Sequence, residues 1–504
     1  MQPPAAISPK PRRRIPGYLY PLFVLLLLPL LVLSAVPIYN WSAERDFVKH
    51  VAELRQIGES VRIEDLRPEP LKDLENTFIA HPLIAELIEE SRMRESEDFD
   101  PVLKMNRLSI EAIPDLIPSR LTKRLIRYFE GTPIPEFDPP LEETEAVRRI
   151  LEYCETQSTD LAAFAEATKR PLAHFNLRYE DGLGMSMPEL HPLDKLGNLI
   201  ALRAKCALAS RDSQTAFEDT LTLLRLADQL GTEPVLVFQL FRLRFADLAA
   251  GVIHEGLQTS CWDAPMIESL SRDLKDPAFD VAFLNSMRME RASFVRTLQA
   301  LTNEPEMITK NLPDMEVPRA TLRVLPFVAK GWIADNSRRY SEIMQEQLLS
   351  DHNGAPLRNG FPIEGSLRVA LTPSLRNPVH QLRYRLATLS LPAYNNLIHR
   401  FLRSSVYLDH SRIALALESH RIDHGSYPPS LLDLTKLENE LHLTDPITGE
   451  PYHYALLDDG SYLIYSVGLN RIDESGLLKR DFDKGDWVWR LKLPSNFDEE
   501  AYRD

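Results

Sequence analysis

The sequence predicts a mainly α-helical chain that ends in a small α+β module. Three observations carry this. Gly is scarce (19) and Pro frequent (38) in a chain of 504 residues that is 44% hydrophobic; few glycines favour helix interiors, and the prolines then mark helix ends and linkers. A charge-free apolar run occupies residues 18–39. Short alternating stretches bounded by Gly, Pro and Asp clusters appear only beyond residue 450, which is where strands are expected.

The formal net charge of -15 argues against nucleic-acid binding by the chain as a whole, because phosphate contacts need clustered cations. The three cysteines, Cys154, Cys206 and Cys261, form no Cys-x-x-Cys pair. They suggest neither a disulfide framework nor a zinc site. Cys206, in the run ALRAKCALA, reads as a small buried hydrophobe.

Residues 1–17 are polar and carry Lys10, Arg12, Arg13 and Arg14. The run 18–39 is long enough to cross a hydrocarbon core of about 30 Å at about 1.5 Å per residue. Tyr18, Tyr20, Tyr39 and Trp41 flank it, and Glu44 and Asp46 follow. The expectation is a single transmembrane helix over 18–39, with 1–17 as a cytoplasmic tail and the bulk outside the cytoplasm. A signal peptide cleaved near Ser34–Ala35 is the alternative; the length of the run favours an uncleaved anchor.

The body, residues 40–400, reads as helices. One is expected over 42–58, with Ser42 as N-cap and Gly58 as stop. The stretch 94–140 is broken by prolines. Helices are expected at 141–156 and near 159–168, then in close succession at about 193–209, 213–230, 233–257 and 263–275. Gly231 closes the second of these four, and Asp263 with Pro265 opens the fourth. The short turns make them antiparallel neighbours in an α-solenoid-like or irregular bundle. Residues 279–301 are a further amphipathic helix, in which Glu290 between Arg288 and Arg291 suggests an ion pair, buried or exposed, with exposed as the default expectation. Helices resume over 320–350, a polar loop covers 351–375, and 379–400 return to helical spacing. Asn76 and His81 read as loop-tying residues.

No catalytic motif stands out. His254–Glu255 is followed by Gly256, Leu257 and Gln258, so there is no His-Glu-x-x-His. Gly184-Met-Ser186-Met is not a nucleophile elbow, and neither a P-loop nor a dinucleotide fingerprint occurs.

The C-terminal module, 401–492, opens on the clearest helix, 401–424, with Leu402, Val406, Ile413 and Leu417 on one face. His424–Gly425 ends it and Tyr427-Pro428-Pro429 follow. A short helix is expected near 429–440, then strands at 452–457, 461–467 and 486–492. The loop Asp458-Asp459-Gly460 joins the first two strands as a hairpin. In the last, Trp487, Trp489 and Leu491 alternate with Val488, Arg490 and Lys492. Residues 493–504 are a tail.

These residues resemble the major pseudopilins of type II secretion, and type IV pilin-like proteins generally. In that family a long helix leads into an x-x-D-x-G-x-Y-P turn. A D-P-W-G-x-P-Y-like turn, an S-x-G-x-D/N-G loop and a D-x-x-x-W-like strand follow. The matching positions are Asp423, Gly425, Tyr427, Pro428, Asp445, Pro446, Gly449, Pro451, Tyr452, Ser466, Gly468, Asn470, Asp486 and Trp487. The resemblance implies a helix packed on an antiparallel sheet. It also implies calcium in the loop after Gly468, with Asn470, Asp473, Asp481 and Asp483 as oxygen ligands; a charged surface loop is the alternative. Arg471 stands where the family has glycine, and Lys479, Arg480 and Lys484 add positive charge. The pilin start is missing: Gly17–Tyr18 is followed by Leu22 and Phe23 where the family places its glutamate, so pilin-like processing and polymerisation are not expected. Taken together, the expectation is a single-pass protein of the bacterial inner membrane with its bulk in the periplasm. It would be a scaffold or docking component tied to secretion or pilus machinery, with envelope proteins as partners. The alternative is an anchored periplasmic hydrolase with its site in the helical body.

Overall fold

A computed structural model describes residues 19–69, 77–95, 143–170, 173, 175, 177–274, 279–304, 327, 329–349, 378–390, 392–436, 441–477 and 485–492. The chain is mainly helical and carries one three-stranded antiparallel sheet near its C-terminus. It divides into two compact units, one of residues 1–59 and 298–339, the other of residues 60–297 and 340–504.

In the first unit the main element is α1 (Leu19–Gln56). It is one continuous helix, where the sequence suggested a membrane helix ending at 39 and a new helix capped by Ser42. Ser42 is a good cap only where the residues before it are not helical, and here they are. Gly58 (φ +78°) does end the helix, with its N–H on Arg55 O at 3.2 Å. Residues 19–39 of the charge-free run lie in α1, whose side chains are described from Ser34 onward; among the described residues no helix is long and apolar enough to cross a membrane. The middle of α1 is clamped to the start of a later helix, Lys330–Met344. Tyr39 Oη donates to Asp335 Oδ2 (3.2 Å), Gly331 N–H to Asn40 Oδ1 (2.8 Å), and Lys330 Nζ lies 3.0 Å from Glu44 Oε1. Gly331 is required here, since a Cβ would sit 2.6 Å from the Asn40 Cα.

The second unit is built on three consecutive helices, here called α2 (Leu190–Ala209), α3 (Ser213–Gly231) and α4 (Leu236–Gln258). Each packs on the other two, and the short turns make sequence neighbours antiparallel. Asp212 caps α3 by accepting from Thr215 N–H, and Gly231 is its last residue. Asp263 caps the next helix, α5 (Ala264–Asp273), with Pro265 in its first turn. Before α2, the loop near 173–184 is tied down from the α3–α4 turn. The buried Glu233 accepts from Phe175 N–H (2.9 Å) and Tyr179 Oη, and Thr232 Oγ1 donates to Ala173 O (3.1 Å). Arg291, expected at an exposed pair, is fully buried. Its guanidinium donates to Gln345 Oε1 (2.6 Å) and Ser60 O (2.8 Å).

The long helix α6 (Pro392–His424) packs on α4, on α5 and on the sheet. It starts nine residues ahead of the expected boundary at 401, about two and a half helical turns, and Phe401 stacks on Phe283 of the helix Phe279–Asn303 at 4.4 Å. The sheet is β1 (His453–Leu456), β2 (Tyr462–Ser466) and β3 (Trp487–Arg490), in that order. The hairpin turns at Gly460 (φ +74°), with Ser461 N–H held by Asp459 Oδ1 at 2.9 Å. Every residue of β2 is buried. Tyr462 and Ile464 share a face with Trp489 and look toward α6, while Leu463 and Tyr465, on the other face, are covered by the loop carrying Gly476.

Candidate functional site

Two places in the second unit gather polar groups: the seam along α6, and the loop between β2 and β3. The seam is the larger. At its upper end Ser404 Oγ donates to Asp247 Oδ2 of α4 (2.6 Å), and burial pushes the Asp247 carboxyl up to about 6. One α6 turn further, Asp409 accepts from both Arg412 Nη1 and Tyr452 Oη, each at 2.9 Å. Arg412 also donates through Nε to Leu274 O (3.0 Å), the residue after α5. This one carboxylate therefore joins α6 to the entry of the sheet and, through Arg412, to α5.

His410 is 1% exposed, and its ring meets the edge of Tyr452 at 4.9 Å; burial drives it down to about 3. His254 of α4 lies 4.2 Å from the Trp489 ring, and its Nε2 is 2.9 Å from Arg490 O. A carbonyl can only accept, so Nε2 carries the proton. Burial lowers the His254 pKa to about 4, and the ring is neutral. Its bond closes the outer edge of β3 against α4. At the lower end Tyr427 Oη donates to Glu418 Oε2 (2.9 Å), and the Tyr427 ring meets Tyr462 at 5.0 Å. These groups all join elements of the fold to one another.

Asp445, Gly449, Gly425 and Gly468 each stand at a turn of the chain. Asp445 is buried and accepts Ile447 N–H (2.9 Å); Gly449 (φ +78°) follows. Gly425 takes φ +79° just past α6. At Gly468 (φ +63°) a Cβ would sit 2.3 Å from Gly485 O, so this position admits glycine alone. Compared with protein-family models, with curated proteins and with solved structures, the chain matches none.

Two of the four proposed calcium ligands, Asp481 and Asp483, lie outside the described residues. The other two use their oxygens on the loop itself. Asn470 Oδ1 accepts Ile472 N–H (3.1 Å) and its Nδ2 donates to Glu474 Oε1 (3.0 Å); Asp473 Oδ1 accepts Ser475 N–H (2.7 Å) and Tyr465 Oη (3.1 Å). Those bonds hold the Asp473 carboxyl below the usual carboxylate range, the Ser475 N–H contributing most. The residue that organises the loop is Asp486, which is buried and accepts Glu474 N–H (3.1 Å) and Gly476 N–H (2.8 Å) through Oδ2. Burial, with the Glu474 carboxylate adding to it, raises its pKa. Among the described residues no group of three or more His, Cys, Asp or Glu side chains is arranged to hold a metal ion. In the described part of the loop, Asn470 and Asp473 thus spend oxygens on backbone N–H groups of the loop itself.

The seam residues Asp247, His254, Asp409, His410, Arg412 and Glu418 were invisible to sequence reasoning. Only Asp486 carried a signal, as the aspartate of the D-x-x-x-W-like strand. The cysteines are free, with Cys154 and Cys206 buried; burial pushes the Cys154 thiol up to about 12.

Proposed function

We propose that this protein is a single-pass scaffold of the bacterial inner membrane that presents a pseudopilin-like module to partner proteins of the envelope. In this reading residues 18–39 are the membrane helix, 1–17 face the cytoplasm, and the rest stands in the periplasm. The partners belong to secretion or pilus machinery. The observation that carries the reading is the helix α6 packed on a three-stranded antiparallel sheet, with Asp445, Gly468 and Asp486 at the turns where the pilin-like pattern has them. The seam supports a scaffold, because its buried ionisable groups are spent on joining elements. The acidic net charge fits protein partners better than nucleic acid.

The test is affinity purification of the tagged full-length chain from detergent-solubilised bacterial membranes. Recovery of secretion or pilus components with it is the expected result. A chain found only in the soluble fraction, or one that purifies alone and shows hydrolytic activity, overturns the reading.

A further inference from the structure

We propose that His420 and His424 form a two-histidine site for a borderline divalent cation of the Zn2+, Cu2+ or Ni2+ class, at the C-terminal end of α6. The two residues are one turn apart on one helix face. Their rings are stacked, with centroids 4.1 Å apart and planes 16° from parallel. His420 Nδ1 lies 2.9 Å from Ser426 O, and His424 Nδ1 lies 3.1 Å from His420 O. A carbonyl oxygen has no proton to give, so each neutral ring carries its hydrogen on Nδ1. The lone pair is then on Nε2 in both. This is the arrangement of metal-bound imidazoles, whose second nitrogen is oriented by a carbonyl or carboxylate acceptor.

The backbone builds the arrangement. Gly425 takes φ +79° and turns the chain back over the helix end, which brings Ser426 O to His420. No side chain but glycine adopts that conformation without strain. Arg421, the cation between the two histidines, is paired with Glu418. Two imidazole nitrogens on one tetrahedral ion at about 2.0–2.1 Å stand roughly 3.3 Å apart. Near-parallel rings 4.1 Å apart reach that spacing by a small rotation of the side chains. Water completes the coordination. Imidazole nitrogen selects Zn2+, Cu2+ or Ni2+ over Ca2+ and Mg2+, which take oxygen. A bound ion would clip the last turn of α6 just before the Tyr427 turn onto the sheet.

The test uses the full-length chain in detergent, freed of metal by a chelator. Zn2+ is titrated in competition with a chromophoric chelator, and Cu2+ is followed by electron paramagnetic resonance. One saturable site is expected. His420→Ala or His424→Ala should each weaken Zn2+ at least tenfold and reduce the nitrogen hyperfine coupling of the Cu2+ signal from two imidazoles to one, whereas His380→Ala should change neither. His420→Gln and His424→Gln repeat the measurement with a polar side chain, so that a loss caused by a perturbed helix end is told apart from loss of a ligand. Equal Zn2+ affinity in the wild type and the His420→Ala/His424→Ala double variant, or no saturable binding by the wild type, overturns the proposal.

Discussion

The helices α2 to α4 and the helix α6 with its sheet are joined by different chemistry. Between α2 and α4 the polar ties sit at the rim: Arg244 with Asp194 (both side chains 30% exposed) and Lys205 with Glu255 (18% and 26%). Water screens such pairs, and their net worth is small. Arg203 with Asp219, between α2 and α3, is the more enclosed exception. Along α6 the ties are inside: Asp409 is 0% and Arg412 7% exposed, and Asp409 serves Tyr452 as well. A buried pair adds little net stability, yet breaking one side strands the other. The helical layer is thus held mainly by apolar packing and tolerates change at its edges. The α6 seam demands one geometry, and that geometry sets where the sheet sits.

Breaking the seam is expected to have the largest effect. Trp489→Ala removes a fully buried ring that packs on His254 and Tyr407. It should cost about 3–5 kcal/mol, measured by chemical denaturation. Asp409→Ala leaves Arg412 and the Tyr452 hydroxyl without their buried acceptor, and about 3–5 kcal/mol is expected. Glu268→Ala, at an exposed pair with Arg272 on α5, should change stability by less than about 0.5 kcal/mol. Similar losses from Asp409→Ala and Glu268→Ala would remove the contrast between rim and seam.

Acid should act on the seam first. His410 and His254 have folded pKa values of about 3 and about 4, below the ordinary 6.5. The unfolded chain therefore binds more protons between 6.5 and those values. Their contribution is full above about pH 6.5 and is lost as pH falls toward 4. Asp247, raised to about 6, works in the opposite sense: the folded chain binds its proton more readily, so it costs stability as pH rises from about 3.8 to 6. Two histidines outweigh one carboxyl, and the denaturation midpoint should fall from pH 6.5 to 4.5. A midpoint that no longer falls, and rises slightly through the Asp247 carboxyl, in His410→Gln/His254→Gln, against a falling one in the parent, would assign the loss to these rings.

The loop between β2 and β3 offers smaller effects. Gly468→Ala meets both a positive φ and the Gly485 carbonyl and should cost about 1–3 kcal/mol, read as a lower melting temperature. Arg471 holds φ +54°, where an L side chain is strained. Arg471→Gly should stabilise by roughly 0.5–1 kcal/mol. Ca2+ and EDTA separate the two readings of this loop: a melting temperature several degrees higher with Ca2+ would place a cation there, and an unchanged one would leave a charged surface loop.

Much of this was legible in residues. Leu402, Val406, Ile413 and Leu417 face inward because a helix repeats every 3.6 residues, and that period shows in the sequence. The hairpin at Asp458–Gly460 and the alternation of Trp487, Trp489 and Leu491 were legible for the same local reason. The stops at Gly58 and Gly231 and the cap at Asp263 also depend on neighbours in sequence. Ser42 misled because a cap signal carries no information about whether the preceding turn is already helical.

The sequence by itself determined most of the described helices and strands, though not the continuity of α1 or the start of α6, since their local pattern rests on contacts a few residues apart. The tertiary structure alone decided which polar residues of α4 and α6 are interior. Asp409 and Tyr452 are 43 positions apart, and His254 and Arg490 are 236 apart. On a helix, a buried aspartate and a solvated one look alike until the partner arrives from the other end of the chain, because desolvation and pairing are properties of the packed environment rather than of the local pattern.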